Sequence, residues 1–421
     1  MAMRRRDFIK AGAAAVAAGL SGCATTGGAS GARVVVVGGG FGGATAAKYV
    51  RRLDPAIDVV LVEPHEAFVS CPLSNLVISG FRKIEDITVP YDGLARHGVR
   101  VVRDSATAID VERKRVKLAR GEELAFDRVI VAPGVDLMWD ALPAMASEAA
   151  QERVLHAWKA GPQTVALRRQ LEAMPDGGVF VIAIPEAPYR CPPGPYERAC
   201  QVAAYFKAAK PRSKVLVLDA NADVTSKGPL FKKVWAAQYG GIIEYRPSNK
   251  VVDVDWKGGK LKLDVHEDVR GDVLNVLPPM RAGHIADPFV NVNKRWVGID
   301  WLTYESTAAK GVHVVGDALQ LAPLMPKSGH MANAQGKACA AAVVALLQGK
   351  PPSAAPMLSN ACYSWVDDKQ VIHVTSIHKY DTKDRTMKVV PGASGVSVEH
   401  NAEEAEFALN WARNIWADSL A

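Results

Sequence analysis

Two parts of the chain repeat one pattern of apolar and polar positions. Val34 to Val37 is an unbroken apolar run, followed by a cluster of glycines and an alanine-rich segment from about Ala44 to Arg52. A strand covered on both faces reads as such a run, and the alanine-rich segment predicts the helix of a βαβ unit. A second run, Val59 to Val62, ends at Glu63. The pattern returns with the run Val179 to Ile184, a proline-rich loop, a predicted helix from Tyr196 to about Ala209, and a strand Lys214 to Leu218 ending at Asp219. Between the units, Val99 to Asp127 alternates short strands with charged turns, and Arg128 to Val131 runs into Ala132-Pro133-Gly134. Later, His313 to Val315 stops at Gly316-Asp317, and Ala332 to Leu347 predicts another alanine-rich helix. From Pro351 a linker leads to a last region with its own strands and a helix near Glu404 to Trp416.

Duplicated units of this kind predict an α/β chain with two Rossmann-like nucleotide-binding domains and a smaller C-terminal α+β domain. The expected divisions are residues 1–31 for a signal and linker, 32–148 and 285–350 for two parts of a first nucleotide-binding domain, 149–284 for a second, and 351–421 for the C-terminal domain.

Gly38-Gly39-Gly40-Phe41-Gly42-Gly43 satisfies the pattern G-x-G-x-x-G directly between a strand and a helix. In that setting Gly38 allows the tight turn, Gly40 lets the backbone approach a pyrophosphate, and Gly43 lets the helix pack on the strand. Glu63, at the end of the next strand, suits a ribose hydroxyl and repels a 2′-phosphate. Asp317, remote from this turn but again at a strand end, suits the ribityl chain of FAD, and Pro133 lies in a third strand-to-loop motif; together the three favour FAD. The second unit lacks a fingerprint. Its loop, Pro185 to Pro195, holds prolines and Cys191 in place of spaced glycines, which argues against NADH as electron source.

Composition adds the N-terminus to this picture. The 421 residues carry a net charge of +7, of which Arg4, Arg5, Arg6, Asp7 and Lys10 together supply +3. No basic run interleaved with aromatics points to nucleic acid. Arg5-Arg6-Asp7-Phe8-Ile9-Lys10 followed by the small apolar stretch Ala11 to Leu20 has the layout of a twin-arginine export signal, predicting a periplasmic protein that folds around its cofactor before export. Leu20-Ser21-Gly22-Cys23 is similar to a lipobox, so either Cys23 carries a lipid that tethers the protein to a membrane, or cleavage falls between Ala24 and Gly31 and Cys23 is discarded.

Apart from Cys23, five cysteines remain, an odd number that asks for an explanation in an exported protein. The segments Val69-Ser70-Cys71-Pro72-Leu73-Ser74-Asn75, Tyr189 to Arg198, Pro326-Lys327-Ser328-Gly329 and Asn360-Ala361-Cys362-Tyr363-Ser364 resemble the flavoprotein subunit of flavocytochrome c sulfide dehydrogenase, within the disulfide reductase-like flavoproteins. The resemblance covers the chain from about Arg33 to its end. It implies FAD attached through a thioether to Cys71, and Cys191 paired with Cys362 as a redox-active disulfide that takes up sulfide and yields sulfane sulfur or polysulfide. A purely structural disulfide is the competing reading. On position alone, Cys191 before a helix N-terminus predicts a stabilised thiolate. Glu197 matches a family glutamate near the disulfide and could serve there as a base; an acid in a first helical turn is also favoured by the helix dipole alone. In folds of this class Lys327 precedes a helix aimed at the flavin's N1/C2 edge; the alternative is a solvated surface lysine. Trp411 and Trp416 stand either beside the flavin or simply in the core.

Cys200 and Cys339 read as packing residues, with a Cys191–Cys200 bridge left open. No Cys-x-x-Cys-His haem site is present, so the resemblance implies a c-type cytochrome on another chain as acceptor. The rival is a sulfide:quinone oxidoreductase that reduces a membrane quinone, against which the polar residues Glu406, Arg413 and Asp418 of the last helix count.

Overall fold

A computed structural model describes residues 31–421. The twin-arginine segment and Cys23 lie outside the described residues. The first parallel sheet has the strand order Val312–Val314, Arg128–Val131, Arg33–Val37, Asp58–Val62 and Val99–Val102. The second has the order Ile243–Arg246, Lys214–Asp219, Val179–Ile184 and Val273–Val276. The apolar runs are the central strands of both sheets, where both faces are covered, so the unbroken valine pattern is accounted for. A four-stranded antiparallel sheet built on Met357–Trp365 and Val371–Asp381 completes the chain with the helix Glu403–Leu420.

Several helices start earlier or end later than periodicity alone predicts. The first runs over Phe41–Leu53, including Gly42 and Gly43, because the close approach there excludes side chains: a Cβ on Gly43 would lie 1.9 Å from the Gly38 carbonyl oxygen. The helix expected from Ala332 begins at Gly329, since the Ser328 hydroxyl accepts the Met331 N–H at 3.1 Å and caps it. The last helix continues past Trp416 because its end docks on Phe41–Leu53. There Thr45 Oγ1 donates to Ser419 Oγ at 3.0 Å, Tyr49 OH donates to Asp418 at 2.7 Å, and Lys337 pairs with Asp418 at 2.7 Å. Among the described residues no helix is long and apolar enough to cross a membrane.

Two histidines, His156 half-buried and His313 fully buried, tie this core to pH. Burial, reinforced by Arg198, Lys159 and Arg190, pushes His156 down to about 3, and its Nδ1 accepts the Trp158 N–H at 2.8 Å. Burial likewise pushes His313 down to about 4, with its ring against the Thr303 carbonyl at 2.8 Å. Both pKa values are depressed on folding, so the stability they contribute is complete above the unfolded value near 6.5 and is lost as pH falls toward 4, by roughly 1.4 kcal/mol per pH unit per histidine. The melting midpoint is therefore expected to fall between pH 6.5 and 4, with a shallower slope in His313→Gln. An identical slope in the variant would show that His313 does not carry the effect.

Candidate active site

The C-terminal ends of strands Arg33–Val37, Arg128–Val131 and Val312–Val314 open on one cavity of about 290 Å³, the place where open α/β sheets bind ligands. Its walls include Gly38 to Gly42, Glu63, Pro133, Gly134 and Asp317 from the first sheet, and Cys71, Cys191 and Cys362 from three other segments. Gly38 has φ +97°, and a Cβ there would meet the Ala132 oxygen at 2.4 Å. Gly40 is different: nothing lies within 4 Å of its Cβ position, leaving open space at the N-terminus of helix Phe41–Leu53. Such an opening, with helix N–H groups facing it, fits a pyrophosphate. Glu63 Oε2 accepts the Gly39 N–H at 2.8 Å, and Oε1 accepts the His65 N–H at 3.0 Å, which holds the carboxylate at the cavity edge. Gly40→Val is expected to fold with an unchanged circular dichroism spectrum while flavin content falls at least about tenfold, because its side chain fills the anion's space rather than the core. Full flavin content in this variant would refute that placement.

Asp317 is raised by burial, with Arg190 and Lys327 opposing the shift. Arg190 projects into the same cavity: its Nη2 donates to Cys71 Sγ at 3.2 Å and to the Trp158 carbonyl, and its Nε has no protein partner. An unmatched buried donor beside the thiol suits the acceptor-rich ring of a flavin. The glycine turn, the two carboxylates and this donor thus fit an FAD along the length of the cavity.

Cys191 and Cys362 are half-buried and line the cavity, and all five cysteines among the described residues are thiols. Cys191 has φ +56° and is held by its N–H donating to the Lys327 carbonyl at 2.8 Å. The stabilised thiolate expected from its place before helix Gly194–Ala209 is not found. Burial, with the charges of Glu197 and Cys362, pushes Cys191 up to about 12, outweighing the helix end. Burial also raises Cys362, whose thiol donates to Asn360 Oδ1 at 3.5 Å, but there Lys227 and hydrogen bonding with Asn360 and Ser328 pull the other way.

Glu197 is 6% exposed and also lines the cavity. Burial raises it well above the usual carboxylate range, opposed by Lys227, the Trp365 N–H, Asn75 and Arg198. A carboxyl raised in this way can both hold and release a proton near neutrality.

Of the residues expected to bind the cofactor, Lys327 lies elsewhere, and Cys200 and Cys339 are packing residues. Lys327 is not a solvated lysine, and its side chain does not reach the cavity. It is 2% exposed, donates to the Asp317 and Leu319 carbonyls at 2.7 and 2.6 Å, and sits 3.6 Å from the Trp296 ring centre, so it braces the Gly316–Ala318 turn from behind. Cys200 is fully buried and accepts from Trp235 Nε1 at 3.2 Å, and Cys339 is packed in the same core. Trp411 lines the cavity, whereas Trp416 packs beside Phe41 and Ile415.

Arg190, Arg198 and Lys227 escaped the reading of the sequence as site residues. The first two flank Cys191 and Glu197, so proximity in the chain was a usable signal. For Lys227 the only local sign was Gly228-Pro229, which marks a helix start just after it.

A glycine turn for a dinucleotide that shares its cavity with Cys71, Cys191 and Cys362 fits a flavoprotein of the disulfide oxidoreductase class, and residues 32–172 match the pyridine nucleotide-disulphide oxidoreductase family. Solved structures share the fold. The sulfide:quinone oxidoreductase of Aquifex aeolicus superposes with a TM-score of 0.74 at 18% identity, covering 92% of this chain and 91% of that one. A putidaredoxin reductase in covalent complex with putidaredoxin gives 0.65 at 18%, covering 93% and 94%.

Residues 164–278 match the family described as sulfide dehydrogenase [flavocytochrome c] flavoprotein chain, central, and residues 354–420 match flavocytochrome c sulphide dehydrogenase, flavin-binding. A sulfide dehydrogenase [flavocytochrome c] flavoprotein chain of Chlorobaculum thiosulfatiphilum is 73% identical over 45 residues, 11% of this chain and 94% of that sequence. The chain belongs to the flavoprotein chains of flavocytochrome c sulfide dehydrogenase, among the disulfide reductase-like flavoproteins. A mitochondrial sulfide:quinone oxidoreductase of Dictyostelium discoideum is 26% identical over 261 residues, 56% of this chain and 55% of that relative, so the match spans about half of that relative's length.

Proposed function

We propose that this chain oxidises sulfide to sulfane sulfur or polysulfide through a disulfide between Cys191 and Cys362 and delivers the electrons through FAD to a c-type cytochrome on another chain. The observation that carries this reading is that Cys71, Cys191 and Cys362, from three distant segments, line the cavity that begins at the dinucleotide turn. Hydrosulfide attacks one sulfur of the disulfide, forming a persulfide and freeing the other cysteine as a thiolate. Glu197 exchanges protons at the cavity wall. Arg190 lies against the Cys71 sulfur, the position of the proposed thioether, and would offer its unpaired Nε–H to the flavin ring held there. Bound FAD supplies the conversion of a two-electron oxidation into single-electron transfers. The twin-arginine signal belongs to the same reading, as the route of a protein exported to the periplasm with its cofactor in place, and Cys23 as a lipid tether would hold it at a membrane.

The Aquifex and Dictyostelium relatives support a second acceptor, a membrane quinone, equally well. Anaerobic titration of the purified protein with sulfide, followed by cytochrome c or a soluble quinone, separates the two. Sulfide is expected to bleach the flavin, and cytochrome c to restore its colour faster than quinone. Absence of bleaching would reject sulfide as the substrate, and faster recovery with quinone would reject the cytochrome. Acid precipitation of the holoprotein is expected to leave the flavin on the pellet; free flavin in the supernatant would reject the thioether.

A further inference from the structure

Helix Gly228–Gln238 begins against the wall that carries Cys362, and the residue before it has no place in the reaction above. Lys227 is 8% exposed and takes a left-handed conformation, φ 57°, directly ahead of Gly228-Pro229. Its Nζ donates to the Cys362 carbonyl at 3.1 Å, to Ser364 Oγ at 2.7 Å and to the Ile372 carbonyl at 3.5 Å. It thereby clasps strands Met357–Trp365 and Val371–Asp381 at the point where Cys362 sits. The ring of Phe231 lies beneath it at 6.0 Å.

All three acceptors are uncharged. They satisfy the ammonium's hydrogen bonds without neutralising its charge, and burying such a charge away from water is costly. An apolar residue could fill the space at less cost. Burial lowers Lys227 to about 8, and the groups whose negative charge holds it protonated are, in order, Cys362, Glu197, Cys191 and Glu404, with Arg198 also acting on Glu197. The effect on the two cysteines is unequal. Both cysteines face Glu197, and Cys191 also faces Arg190, but only Cys362 is bonded to Lys227, through its own carbonyl, and Lys227 is the largest influence opposing burial there.

We propose that Lys227 is a positioning residue for the cysteine pair, fixing the backbone of Cys362 and stabilising the thiolate that appears there when the disulfide opens. The inference rests on the redox-disulfide reading given above. When hydrosulfide attacks the Cys191 sulfur, a new S–S bond forms at Cys191 and the Cys191–Cys362 bond breaks. The electron pair of the broken bond goes to Cys362 Sγ, and the hydrosulfide proton stays on the persulfide. The better leaving group is the sulfur whose anion is more stable, and Lys227 makes that sulfur Cys362.

The test follows thiolate formation without sulfide. The reduced, flavin-loaded protein is alkylated with iodoacetamide across a pH series, and Cys191 and Cys362 are quantified separately by mass spectrometry. In the wild type Cys362 is expected to react faster than Cys191 at pH 8. In Lys227→Gln, which retains donors but no charge, Cys362 alkylation at pH 8 is expected to fall about tenfold or more, equivalent to one pKa unit, and Lys227→Arg is expected to restore most of it. Superimposed wild-type and Lys227→Gln profiles, in proteins of equal flavin content and melting midpoint, would overturn the proposal. Faster alkylation of Cys191 in the wild type would overturn it even if no variant folds. A wild type that sulfide does not bleach, with these profiles as expected, would instead reject the sulfide reading and leave Lys227's role intact.

Discussion

Cys191→Ser is expected to keep its FAD and to lose sulfide-dependent bleaching by at least about 10³-fold, the scale seen when a reacting nucleophile or its partner is removed. The reason is electronic rather than steric. Serine preserves the size of the side chain in a loop held by the Lys327 carbonyl, but an alkoxide is too poor a leaving group and too weak a soft-sulfur acceptor for disulfide exchange. Flavin retention separates this outcome from misfolding, because the glycine turn and Glu63 lie on the first sheet, away from the substituted loop. Cys200→Ser is the matched control. That sulfur is buried against Trp235 Nε1, and its loss is expected to leave bleaching within about twofold, as for a group that is not part of the reacting unit. Wild-type bleaching by Cys191→Ser would remove the disulfide from the proposed reaction, and loss of bleaching in Cys200→Ser would transfer attention to that thiol.

The largest expected loss of stability comes from Arg198, one residue beyond Glu197. Its guanidinium is 1% exposed and binds four acceptors: Asn75 Oδ1 at 3.0 Å, the His156 carbonyl at 2.9 Å, Asn275 Oδ1 at 2.9 Å and the Ala157 carbonyl at 2.7 Å. These partners come from helix Ser74–Ser79, the segment before helix Pro162–Ala173, and strand Val273–Val276, so a single side chain ties the cavity floor to the second sheet. Arg198→Met is expected to cost about 3–5 kcal/mol, because the methionine fills the volume but strands buried acceptors and removes a cation facing Glu197. Arg198→Lys is expected to recover only part, since one ammonium cannot span four acceptors set by a planar fork. Urea unfolding followed by circular dichroism and by flavin release checks both variants. A shift within about 0.5 kcal/mol, typical of a surface position, would show that the cluster does not hold the fold together.

The parts of this protein that were legible beforehand depend on neighbouring residues. Val34 to Val37 and Val179 to Ile184 are strands because an unbroken apolar run has to be covered on both faces. Gly38 and Gly43 admit no side chain because a carbonyl lies where Cβ would be. Helix ends were less legible, since Ser328 and the docking of Ser419 and Asp418 decide them through hydrogen bonds to particular partners. The thiolate expected at Cys191 failed for a related reason: a helix end is visible in the sequence, whereas burial beside Glu197 is not.

By itself, then, the sequence determined two nucleotide-binding folds, a dinucleotide turn with its carboxylate, a second unit without one, and a set of cysteines distinctive enough to carry a resemblance. Only the tertiary structure decided that Arg190 reaches Cys71, 119 positions away, that Lys227 holds Cys362 across 135, and that Lys327 turns its back on the cavity. Periodicity and turn chemistry are local, fixed by the dihedral preferences of a few adjacent residues. Which charge is buried beside which sulfur is set by how distant strands and helices close over one another, and the desolvation that shifts their proton affinities exists only once they have closed.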